Sequence, residues 1–88
     1  ELSDCVPDAG APGDALAAAE LGRSISAFLR TQSEDARVMF VSRYFCCDSI
    51  AEISRRLGCG ESRVKVTLLR TRRRLRQHLE KEGYYYET

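Results

Sequence analysis

Between Ser49 and Arg76 the chain carries nine basic side chains, Arg55, Arg56, Arg63, Lys65, Arg70, Arg72, Arg73, Arg74 and Arg76. Only two acids, Glu52 and Glu61, stand against them, so nine minus two leaves this stretch at +7. The whole chain of 88 residues is +1, so the remainder sums to −6. Charge segregated in this way is chemistry for a polyanion. Guanidinium and ammonium groups displace the counterions of a phosphate backbone and hydrogen-bond its oxygens. Most charge runs are no more than solvated surface. This one coincides with a structural motif built to present it.

Other chemistry is sparse. The cysteines are Cys5, Cys46, Cys47 and Cys59 and the only histidine is His78, a set without zinc-ligand spacing. Cys46 and Cys47 are adjacent, a poor geometry for a mutual disulfide. Reduced, idle thiols are the expected state, with redox or metal sensing as the alternative. One histidine and scattered acids form no nucleophile–base pair, so no catalytic residue, cofactor or metal site is expected.

The basic residues need elements to hold them. Ser49 is an N-cap and Glu52, three residues on, fits a capping box. Ile50, Ile53 and Leu57 make one apolar stripe, and Gly58 offers the left-handed stop. A second periodic run follows, with Val64, Leu68, Thr71, Leu75 and Leu79 on one side. A short helix over 49–57, a turn with glycine and a longer helix from Glu61 to about Lys81 form a helix-turn-helix.

Upstream, residues 1–13 hold two Pro, two Gly and three acids, and read as a linker or disordered arm. Glu in place of Met at position 1 leads us to expect a piece of a longer chain. Asp14 is placed to cap a helix running to about Arg30, with Leu21, Ile25, Phe28 and Leu29 inward. Ser33 caps a second helix over 34–46, whose first turn carries Glu34 and Asp35 where the dipole favours acids. Phe40 and Ala36 are assigned to its core face. Val38, Val41 and Phe45 form another face, available to a neighbouring helix or a partner. Gly83 ends the last helix, so the domain spans 14–83 and residues 84–88 form a tyrosine-rich tail. The fold class is therefore all-α, a small four-helix domain with a C-terminal helix-turn-helix. No stretch reaches the length of a membrane span.

At 3.6 residues per turn, Ser62, Val66, Leu69 and Arg73 fall opposite the apolar side of the last helix. Arg63 and Arg70 flank them on one side, Lys65 and Arg76 on the other. The N-terminal part of such a helix enters the major groove. Glu61, Ser62, Arg63, Lys65 and Val66 are thus the base-reading candidates, with Arg70 farther along. Arg or Lys reads guanine O6 and N7, Val66 suits a thymine methyl, and Glu61 can accept from cytosine N4. Arg55, Arg56, Arg73 and Arg74 are the phosphate-contact candidates.

The stretch RVMFVSRYFCCDSIAEISRRLGCGESRVKVTLLRTRRRLR, residues 37–76, resembles region 4 of the sigma-70 family, the C-terminal domain of bacterial RNA polymerase sigma factors. The ordered features are an Arg-x-x-Phe run leading to Arg43-Tyr44-Phe45, Ser49-x-x-Glu52-Ile53, Leu57-Gly58, Val64-Lys65, and Arg70-x-Arg72-x-x-Leu75-Arg76. Phe28-Leu29 fits the first helix of the same domain, and the extracytoplasmic-function group fits best. Three positions depart from the family pattern. Cys47 stands where Gly is frequent, Ser54 where Ala follows Glu-Ile, and Gly60 where Ser or Thr caps the last helix.

The resemblance implies a winged-helix-like arrangement without a wing. It also implies recognition of a promoter −35 element in double-stranded DNA and docking on the flap of core RNA polymerase. A cytoplasmic, nucleoid-associated and monomeric protein is expected, and an anti-sigma factor is a further implied partner. Two other readings stay open: a helix-turn-helix regulator of the response-regulator output type, and a protein-interaction module built on Val38, Val41 and Phe45.

Overall fold

In the computed structural model, which describes residues 15–84, four helices run in the order α1 (Ala15–Arg30), α2 (Glu34–Tyr44), α3 (Ile50–Leu57) and α4 (Glu61–Lys81). The expected cap Asp14, the arm before it and residues 85–88 lie outside the described residues. Helix α4 is the longest and packs against each of the other three, and α2 also packs on α3. Among the described residues, no helix is long and apolar enough to cross a membrane.

The core follows from the apolar spacing. Phe28 of α1, Met39 and Phe40 of α2 and Ile53 of α3 meet Val64, Leu68, Leu75 and Leu79 of α4. Each fully buried side chain of this size stabilises the fold by about 1.5–3 kcal/mol before entropy is counted. The single buried hydroxyl on α4 is satisfied locally, since Thr71 Oγ1 donates to the Thr67 carbonyl at 2.8 Å. The inward set expected for α1 holds as well, with Leu21, Phe28 and Leu29 buried and Ile25 packed at the edge of the cluster.

Capping fixes the helix starts. Ser33 Oγ accepts from the Ala36 N–H at 3.2 Å. Ser49 Oγ accepts from the Glu52 N–H at 3.1 Å and donates to the Glu52 carboxylate, also at 3.1 Å. Such a cap contributes about 1 kcal/mol. Gly58 ends α3 with φ 67, the left-handed conformation its sequence position demands.

Helix α2 is shorter than expected, ending at Tyr44 instead of Cys46. The Cys46 N–H reaches back to the Val41 carbonyl at 3.1 Å, five residues away, and Cys47 adopts φ 59. Neither is compatible with another helical turn. The turn takes a left-handed residue here, and that residue is a cysteine.

Candidate nucleic-acid interface

Helix α4 separates its side chains cleanly. Ser62, Val66, Leu69 and Arg73 are exposed on the side away from the core, and Val66 and Leu69 are 44% and 39% exposed. Arg63, Lys65 and Arg70 are exposed on the two flanks of that side. Glu61 lies in the first turn of α4, where the dipole favours a carboxylate. The structure therefore brings all six base-reading candidates to the N-terminal half of one helix. Gly60 caps it without a side-chain hydrogen bond.

The turn before α4 is held by a pair of hydrogen bonds between Ser54 and Cys59. Ser54 Oγ donates to the Cys59 carbonyl, and the Cys59 N–H donates to the Ser54 carbonyl at 3.1 Å. An alanine at 54 would supply only the second of these bonds. Cys59 itself packs against the core.

The four phosphate candidates separate. Arg55 and Arg73 are exposed. Arg74 Nη1 reaches Gln32 Oε1 at 3.4 Å, on the flank facing the α1–α2 connection. Arg56 is engaged within the fold: its Nη2 lies 2.9 Å from Asp48 Oδ2 and its Nη1 donates to Ser42 Oγ at 3.3 Å. It ties α3 to the connection that precedes it. Arg63 also has an internal partner, Asp35 at 3.6 Å, but both groups are well exposed and such a pair is weak.

Two cations outside the candidate sets above complete the surface. Arg43 at the end of α2, Ile50 at the start of α3, and Lys65, Leu68 and Arg72 of α4 line a concavity of about 280 Å³. Arg43 Nη1 donates to the Asp48 carbonyl at 3.1 Å, and Arg72 Nη1 donates to the Tyr44 hydroxyl at 2.6 Å. The Tyr44 ring packs at a tilt of 59° against buried Phe40 with centroids 4.8 Å apart, so Arg72 is positioned from the core. Three cations from two helices converge beside the N-terminus of a third, an arrangement suited to an oxyanion. Arg72 was detectable in the sequence, seven residues after Lys65 on the same flank. Arg43 was not, since only the α2–α4 packing brings it there.

A second concavity, about 510 Å³, is apolar and lies between α1 and α2. Leu21, Ile25, Leu29, Val41 and Phe45 line most of it, and Phe45 is 65% exposed. Of the three partner-surface candidates, Val41 and Phe45 come together here. Val38 is half-buried and outside the lining. Tyr84, the one described residue of the tail, packs against the core, with its N–H on the Leu79 carbonyl at 3.0 Å.

Comparison with known proteins returns one family. The model described as "Sigma-70, region 4" matches residues 22–75, from within α1 through most of α4. No curated protein and no solved structure matches the chain.

Proposed function

From the chain's membership of the sigma-70 region 4 family, a non-enzymatic family of helix-turn-helix DNA-binding domains acting in transcription initiation, we propose that it reads a promoter −35 element for a sigma factor of the extracytoplasmic-function type. The observation that carries this reading is the concentration of cations on the exposed side and flanks of α4. Arg63, Lys65 and Arg70 are the candidates for guanine edges, and Val66 for a thymine methyl. Arg43 and Arg72 together fit one backbone phosphate beside Lys65, with Arg55 and Arg73 available to others. Arg56 and Arg74 each have a hydrogen-bond partner within the fold and rank behind them as phosphate contacts.

The apolar groove between α1 and α2 gives the domain its second contact. It lies on helices that do not supply the base-reading side chains, so DNA and polymerase can be engaged together. An apolar element of the polymerase flap is its proposed occupant, with Phe45 as the central anchor. Exposed aromatic side chains of this kind dominate binding energy when a partner covers them.

Selection from a randomised duplex pool at two salt concentrations tests the DNA reading. The expected result is a short, non-palindromic motif whose binding weakens with salt and is lost in Arg63→Ala with Lys65→Ala. A palindromic motif would instead indicate a dimeric regulator. No enrichment and no effect of the double substitution would refute DNA recognition. Binding of the isolated flap should persist in that double variant and fail in Phe45→Glu.

A further inference from the structure

We propose that Cys46 and Cys47 form a dithiol site for trivalent arsenic, placed so that its loading disturbs the helix-turn-helix. Both thiols are free and exposed, and they are consecutive in the short connection between α2 and α3. Cys47 is the one described non-glycine residue with positive φ, at 59. An extended backbone would send neighbouring side chains to opposite faces, and this connection is not extended there.

Adjacent cysteines are poor partners for each other. A disulfide would hold the sulfurs about 2.05 Å apart and strain the peptide between them. An arsenic atom inserted between the sulfurs enlarges the ring by one atom and accepts a wider separation. With an arsenoso compound, two As–S bonds form and the arsenic–oxygen double bond breaks. The oxygen leaves as water, carrying both thiol protons. Arsenic stays trivalent, so no oxidant or reductant is needed.

The next residue transmits the change. The Asp48 N–H donates to the Ser42 carbonyl at 3.0 Å, its carboxylate binds Arg56 at 2.9 Å, and its carbonyl accepts from Arg43 at 3.1 Å. Asp48 thus links the end of α2, the body of α3 and one wall of the basic concavity. A ring closed on Cys46 and Cys47 acts on the backbone that leads directly into it.

Phenylarsine oxide added to the full chain, read by intact mass, tests the site. One adduct is expected that survives excess monothiol and is removed by a dithiol. Cys46→Ser and Cys47→Ser should each lose that resistance, whereas Cys5→Ser and Cys59→Ser should keep it. Loading should lower duplex affinity several-fold in the wild type and leave Cys46→Ser unchanged. Adducts stripped by monothiol, or dependence on Cys5 or Cys59, would overturn the site. An adduct that leaves duplex affinity unaltered would overturn the coupling. If the untreated chain binds no duplex, the thermal midpoint decides instead: a shift on loading supports the coupling and an unshifted midpoint refutes it.

Discussion

Val64, Leu68, Leu75 and Leu79 on the inner side of α4 are at most 1% exposed, whereas Val66 and Leu69 on its outer side are 44% and 39% exposed. Both sets stand on one helix at the same periodicity, so helix propensity does not distinguish them. The inner set meets all three other helices and accounts for the fold. The outer set lies among arginines and a lysine that repel one another and contribute nothing to the core. Like-charge crowding costs stability, so folding does not account for this side, whereas the proposed polyanionic partner does. Substitutions should therefore divide into those that change stability alone and those that change DNA affinity alone.

The largest expected effect falls on the inner side. Leu68→Ala leaves a cavity in the buried cluster and should destabilise the domain by about 3 kcal/mol, measured by urea unfolding. A loss under about 1 kcal/mol, the range of a surface change, would mean that the core is not organised on α4. Next comes the outer side. Arg63→Ala or Lys65→Ala should each weaken binding to the selected duplex by about 1–3 kcal/mol. Unfolding free energy should move by no more than about 0.5 kcal/mol. A stability loss equal to the affinity loss would erase the distinction between the two sides.

Smaller effects sharpen the comparison at the supports. Ser49→Ala removes the cap of α3 and should cost about 1 kcal/mol, again by urea unfolding. Cys47→Gly relieves the left-handed strain but adds freedom to the unfolded chain. The net expectation is a gain of about 0.5 kcal/mol, visible as a raised thermal midpoint. A loss instead would show that the cysteine side chain makes a stabilising contact of its own.

Much of this arrangement was legible in the residues. Ser33, Ser49 and Gly58 marked helix ends because capping is local chemistry, and the spacing of Val64, Leu68, Thr71, Leu75 and Leu79 gave the inner side of α4 directly. Helix α2 was harder. Met39 and Phe40 are both buried beside half-buried Val38 and Val41, so its apolar residues do not mark a single face. Its end was overextended because nothing local announces that Cys47 turns left-handed. The basic concavity was hidden for a different reason. Arg43 and Arg72 are 29 positions apart by number, and only packing of α2 on α4 brings them together. Arg56 shows the reverse: its side chain looks unengaged in the sequence, and its bonds to Asp48 and Ser42 appear only in the fold.

On the proposed reading, the cations flanking α4, with Arg43 and Arg72 of the basic concavity, grip a DNA backbone. The most direct test of this grip is the slope of log affinity against log salt for one selected duplex, in the wild type and in Arg43→Gln with Arg72→Gln. The double variant should lose roughly one unit of slope per phosphate released. Its preferred sequence should stay the same, with urea unfolding confirming an intact fold. An unchanged slope, or a changed sequence preference at constant slope, would contradict it.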